Sequence, residues 1–136
     1  MKKYPRPATR AQQAHQMWPI LTSWVMHGVV GRIEDQRLIT YGELATLMGY
    51  TAQAGRTLGS ALGLVSGYCD MNRVPHLNSI VVDFETEQPG AGVPLPPGAS
   101  LAKMQERTLE FDWFAYRAPT LRNFRDLQGR YPTASI

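Results

Sequence analysis

The sequence predicts an α+β fold that is mainly helical: a winged helix-turn-helix with a small β-hairpin wing. Three observations lead there. Thr40 and Glu43 stand three residues apart at the start of a helical apolar period, the pattern of a capping box. Gly49 separates that short helix from a second one with its own apolar stripe, and two short helices joined by a glycine-containing turn are the helix-turn-helix signature. Ile80, Val81 and Val82 then form a β-branched run ahead of turn-forming residues, which reads as a strand entering a wing.

The elements follow in order along a chain expected to form a single domain over residues 1–136. Pro5 and Pro7 block a helix, so residues 1–7 read as an extended basic arm. Residues 8–31 read as an N-terminal helical segment beginning near Thr9, with Ala11, Ala14, Trp18, Leu21 and Val25 on one face. Pro19 should kink it or start a second segment, and Gly28 and Gly31 should end it. His15 and His27 lack partners at metal-ligand spacing and read as ordinary helix residues. The first helix of the pair spans Tyr41 to Met48, with Leu44, Ala45 and Met48 inward. The second opens at Thr51 or Ala52 and runs to about Val65 on Ala54, Leu58, Ala61, Leu62 and Val65. Leu77 to Phe84 reads as a strand, and Glu85 to Gly90 as the wing tip. Residues 94–136 hold a proline-rich loop, a helix on Leu101, Met104, Thr108 and Phe111, and a tail. That tail is first aromatic (Trp113, Phe114, Tyr116), expected to pack back on the body, and then basic.

Bulk properties narrow the function class. A 136-residue chain with 43% hydrophobic residues can build one globular core. No apolar run is long enough to span a bilayer, and the basic start lacks the apolar stretch of a secretory signal. One cysteine, Cys69, excludes an internal disulfide framework and fits a reducing cytoplasm; it reads as a buried or incidental thiol. The net charge of +3 is unevenly spread. Lys2, Lys3, Arg6 and Arg10 give residues 1–10 a charge of +4, and Arg117, Arg122, Arg125 and Arg130 against Asp126 give residues 117–136 a charge of +3. The body between them, with six basic and ten acidic residues, carries −4. Basic ends suit an anionic partner touched by the termini, and equally suit two solvated tails.

The second helix of the pair carries the most unusual pattern. Gly55, Gly59 and Gly63 recur every four residues, so on a continuous helix they share one face. Each costs about 1 kcal/mol of helix stability against alanine. A bare face admits either a neighbouring helix or a nucleic-acid backbone. Arg56 is the only charged residue from Gln53 to Tyr68.

Ile39-Thr40-Tyr41-Gly42-Glu43-Leu44-Ala45 resembles the first helix of the DNA-binding domain of alkylguanine-DNA alkyltransferases and alkyltransferase-like proteins. Gly55-Arg56-Thr57-Leu58-Gly59-Ser60-Ala61-Leu62 resembles their recognition helix. Val74-Pro75 falls where that family has its Pro-Cys-His-Arg motif, and Gly90-Ala91-Gly92 falls near its glycine-rich binding loop. The resemblance covers residues 39–93, about 40% of the chain. It implies that Tyr41 contacts the phosphate beside an extruded nucleotide and that Arg56 fills the gap left in the base stack. Extrusion costs a few kcal/mol, and a planar cation can replace part of the lost stacking. It further implies a recognition helix in the minor groove, where Gly55, Thr57, Gly59 and Ser60 permit close contact.

Two departures limit what is inherited. After Pro75 comes His76, not cysteine, and Leu77 and Asn78 stand where His and Arg would follow. Alkyl transfer needs an activated thiolate, so that chemistry is excluded and no enzyme is expected. His76 paired with Asp83 or Glu85 is the only acid–base combination in view, and strand alternation argues against it. The second departure is electrostatic. Thr40 to Met71 holds Glu43, Arg56 and Asp70, a net charge of −1, where phosphate neutralisation asks for cations.

The primary expectation is a non-catalytic binder of double-stranded DNA, with a flipped or modified base as a further ligand. Tyr41, Arg56, Thr57, Ser60, Gly55 and Gly59 make the DNA surface, and His76, Asn78, Gly90, Gly92 and Val93 the base pocket. Lys2, Lys3, Arg6, Arg10, Arg122 and Arg125 supply phosphate contacts. No cofactor, metal or membrane is expected. The alternative is a protein-interaction module on the same fold, such as a phage- or mobile-element-borne regulator or inhibitor of a host system. The acidic body and aromatic tail point that way.

Overall fold

The computed structural model describes residues 1–27, 38–83, 98 and 100–130. They form a mainly helical arrangement with one two-stranded parallel sheet. The elements are α1 (Arg10–His27), β1 (Ile39–Thr40), α2 (Tyr41–Leu47), a 3-10 helix Ala52–Thr57 and α3 (Gly59–Met71). A second 3-10 helix Leu77–Ile80, β2 (Val81–Val82), α4 (Leu101–Glu110) and α5 (Leu121–Arg130) follow.

α1 is one helix, with Pro19 inside it. The missing N–H at Pro19 is accommodated on the exposed face, and Thr22 Oγ1 donates back to the Trp18 carbonyl at 3.0 Å. The predicted stripe of Ala11, Ala14, Trp18, Leu21 and Val25 is buried. Gly28 and Gly31, expected to end the helix, lie outside the described residues.

α2 carries the predicted capping box. The Glu43 amide donates to Thr40 Oγ1 at 3.1 Å, and the Thr40 amide donates to Glu43 Oε1 at 3.0 Å. Such a cap contributes about 1 kcal/mol. Gly49, at φ +93°, turns the chain where glycine alone fits without strain.

The second helix differs from expectation. Ala52–Thr57 is 3-10, Leu58 joins it to α3, and α3 continues past Val65 to Met71. The break at Leu58 is flanked by the poor helix formers Thr57 and Gly59, and Thr57 Oγ1 donates to the Ala54 carbonyl at 2.7 Å. The extension follows from packing: Tyr68 meets Trp18 edge-on at 5.4 Å and Phe124 at 5.7 Å, which overrides the weak propensity of Ser66 and Gly67.

The expected strand from Leu77 to Phe84 is also corrected. Its first four residues are 3-10, and among its described residues Val81 and Val82 alone are strand. Asn78 and Ser79 favour turns, and Ser79 is held to α4 by Thr108 and by Gln105. β2 pairs in parallel with β1, Ile39 opposite Val81 and Thr40 opposite Val82. A parallel pair needs a long crossover, and α2, the 3-10 helix Ala52–Thr57 and α3 lie within it. Ile39 and Val81 are fully buried, as parallel strands are. The wing tip from Glu85 to Gly90 and the proline-rich loop to Pro97 lie outside the described residues.

α5 was expected only as a tail. It is a helix closing the core, with Phe124 and Leu127 buried against α1 and α3. Its signals are present in the sequence. Thr120 and Asn123 cap each other reciprocally, at 3.2 Å and 2.8 Å, and Leu121, Phe124 and Leu127 keep a three-residue step. The aromatic segment packs in part. Trp113 is buried, donates Nε1–H to the Thr108 carbonyl at 2.8 Å and meets Trp18, whereas Phe114 and Tyr116 are exposed.

Candidate nucleic-acid interface

A cleft of about 920 Å³ opens between α2 and the 3-10 helix Ala52–Thr57. Tyr41 and Arg56 both line it, together with Gly55, Trp24 from α1 and Asp83 just beyond β2. The two residues singled out for the phosphate and the base-stack gap are therefore brought together. The capping box sets the start of α2 and so places Tyr41, and the Gly49 turn returns the chain to place Arg56.

Gly55 explains the closeness of the two elements. A Cβ there would stand 2.7 Å from the carbonyl carbon and oxygen of Tyr41 and 3.0 Å from the Gly42 nitrogen. Its bare face thus admits the backbone of α2, not an outside partner. The four-residue glycine stripe is also interrupted, because Gly55 lies in the 3-10 helix and Gly59 begins α3. Gly59 and Ser60 are half-buried, and Ala52, Gln53, Arg56 and Thr57 are the exposed positions of the 3-10 helix. The outward surface of the second unit is accordingly the 3-10 helix and not the glycine face of a continuous recognition helix.

The residues assigned to a base pocket lie elsewhere. His76 is buried, with Nδ1 3.0 Å from Ser66 Oγ and Nε2 3.6 Å from Asp70 Oδ1. Its amide donates to the Met104 sulfur and its carbonyl accepts from Thr108 Oγ1. Asn78 is 1% exposed, and neither atom of its amide has a hydrogen-bond partner. Neither residue lines the cleft. Gly90, Gly92 and Val93 lie outside the described residues.

Sequence reasoning missed the Ser66–His76–Asp70 line, although the four-residue step from Ser66 to Asp70 puts both on one side of α3. Its order is that of a hydrolytic relay. Ser66, however, is only 2% exposed, so a substrate cannot reach its hydroxyl. The contacts serve to anchor the 3-10 helix Leu77–Ile80 to α3.

The basic ends are partly folded onto the body. The Arg6 guanidinium lies 4.1 Å from the Tyr50 ring centre, donates to the Tyr50 hydroxyl at 2.8 Å and to the Met48 carbonyl at 2.9 Å. The expected free arm is thus latched to the turn after α2. Arg10 reaches toward the Gln128 carbonyl at 3.5 Å, which brings the start of α1 to the end of α5. Lys2, Lys3, Arg122 and Arg125 are exposed.

Cys69 is a buried thiol, pushed up to about 12 chiefly by burial. No group of three or more metal-ligating side chains occurs among the described residues, and no described helix is long and apolar enough to cross a membrane. Comparisons with protein-family models, curated proteins and solved structures find no match to this chain.

Proposed function

We propose that this protein is a non-catalytic DNA-binding module of alkyltransferase-like type, with a flipped or modified base as its ligand. The observation that carries this reading is the convergence of Tyr41 and Arg56 on one cleft. In this reading Tyr41 meets the phosphate beside the extruded nucleotide. Arg56, exposed at the end of the 3-10 helix, enters the stack that the base has left. Lys2, Lys3, Arg122 and Arg125 give exposed cations for the duplex backbone, offsetting the weak charge of the helix-turn-helix.

The test is a fluorescence-anisotropy titration of duplex DNA at two salt concentrations. Affinity should fall as salt rises, and Arg56→Ala should weaken binding about tenfold. Binding that ignores salt, or an Arg56→Ala variant as tight as the parent, would count against the proposal.

A second reading, a protein-interaction module, draws on Phe114 and Tyr116, which are 53% and 63% exposed. Large exposed aromatics are common anchors of protein interfaces. Partner capture that survives nuclease treatment and is lost on Phe114→Ala would favour it.

A further inference from the structure

The basic arm at the chain start uses its cations in two different ways. Lys2 and Lys3 are exposed to solvent. Arg6 is committed to the body: its guanidinium stands 4.1 Å from the Tyr50 ring centre and donates to the Tyr50 hydroxyl at 2.8 Å and the Met48 carbonyl at 2.9 Å. Met48 is the C-cap of α2, where orphan carbonyls carry partial negative charge and favour a cation. α1 reaches the same two acceptors, Gln16 Nε2 donating to the Met48 carbonyl at 2.8 Å and Gln13 Nε2 to the Tyr50 hydroxyl at 3.3 Å. Nearer the chain start, the Tyr4 hydroxyl lies 2.7 Å from His15 Nδ1, with the two rings edge-on at 5.8 Å. The arm is therefore pinned twice, to α1 by Tyr4 and to the turn after α2 by Arg6. The second pin is beside the cleft, because Thr46 and Leu47 line the cleft just before that turn and Ala52 and Gln53 just after it. Lys3 is three residues from Arg6, at most about 11 Å of extended backbone.

We infer that Tyr4 and Arg6 are positioning residues for Lys2 and Lys3, holding these two cations ready for the phosphates of a duplex seated on the α2 cleft. This deepens the DNA-binding reading above and rests on it. A free arm would have to be ordered as it binds, and that cost would offset its phosphate contacts. A pinned arm has met the cost on folding. Arginine suits the pin because its planar fork stacks on a ring while donating to two acceptors; a lysine ammonium keeps the charge but not that geometry. Tyr4 and Arg6 act through the lysines, without touching the duplex themselves.

The inference is tested by a double-mutant cycle, read by fluorescence anisotropy on one plain duplex at two salt concentrations. One change releases the arm at constant formal charge, Tyr4→Ala with Arg6→Lys. The other removes the cations, Lys2→Gln with Lys3→Gln. A thermal melt checks that all four proteins fold, and Arg6→Lys alone replaces the pair if the pair does not. On the parent background, losing the lysines should weaken binding about tenfold and flatten the salt slope by up to about 0.9 per cation. Releasing the arm should weaken binding about fivefold, and losing the lysines from the released protein should then cost only about twofold more. In the absence of DNA, trypsin should cut after Lys2 and Lys3 faster in the released protein. A role in stability alone would leave the cost of losing the lysines equal on both backgrounds, and that result would overturn the inference. A released protein that binds as tightly as the parent, or is cut no faster, would overturn it too. In each of these cases salt-dependent binding by the parent leaves the DNA reading standing. Absence of binding by the parent would remove that reading and the inference with it.

Discussion

Gly55 is the residue on which the cleft depends. A methyl group there would meet the Tyr41 carbonyl at 2.7 Å, and that neighbour is backbone within a capped helix and cannot swing aside. Gly55→Ala should destabilise the fold by about 2 kcal/mol through overpacking, read as a lower urea midpoint. Gly42→Ala is the control. Its Cβ would find Ala52 at 3.5 Å, an ordinary contact, so helix propensity should leave stability unchanged or raised by up to about 1 kcal/mol. The sequence shows three evenly spaced glycines; the fold shows that Gly55 is sterically required. Cys69 gives a second residue-scale prediction. Its folded pKa of about 12 lies above the thiol's ordinary value of 9.0, mainly from burial. The folded state therefore holds the proton that the unfolded state releases, and stability should be full below pH 9 and decline as pH climbs toward 12. Equilibrium urea unfolding across that range checks the sign. A thiol reagent at neutral pH should label Cys69 only as the chain unfolds.

At the scale of elements, local signals worked where they were strong and failed where packing decided. The Thr40–Glu43 box marked α2 unambiguously, because both halves of the cap lie within four residues. The same logic at Thr120–Asn123 was legible but hidden by the run of arginines around it. α5 is therefore expected to behave as core and not as tail. Phe124→Ala should cost about 4 kcal/mol, since its ring is fully buried against Trp18 and Tyr68, whereas Thr120→Ala should cost about 1 kcal/mol. A Phe124→Ala melting temperature equal to the parent's would show that the helix is peripheral. The 3-10 helix Leu77–Ile80 was not legible. Its anchors are Gln105 and Thr108, more than twenty-five residues away in sequence, and no window around Ser79 contains them.

For the whole molecule, the informative feature is the separation of roles. Among the described residues, the cleft beside α2 is lined by Glu43, Asp83 and Arg56, and exposed positive charge lies on α5 and the chain start. Arg122 and Arg125 fall on the outward side of α5, opposite Phe124 and Leu127. On the proposed DNA-binding function, replacing both with glutamine should lower duplex affinity uniformly and flatten the salt dependence by up to about 0.9 per cation. It should leave any preference among bases intact. An unchanged salt slope would show that α5 faces away from the nucleic acid. The Arg6 latch bears on the same question. With its guanidinium committed to Tyr50 and Met48, Arg6 stabilises the fold and is removed from the expected set of phosphate ligands.

By itself the sequence determined the start of α1, the capped helix α2 and the turn at Gly49. These rest on short-range physics: caps, apolar periodicity and glycine at a positive φ act over a few residues. Tertiary structure alone decided the rest. It set the steric need for Gly55, the parallel pairing of β2 with β1, and the burial of His76 and Asn78 away from the cleft. It also brought Trp24, Glu43 and Asp83 to one opening. Each of these depends on which distant side chain occupies the neighbouring space, and that is settled only when α1, α3 and α5 close around a common core.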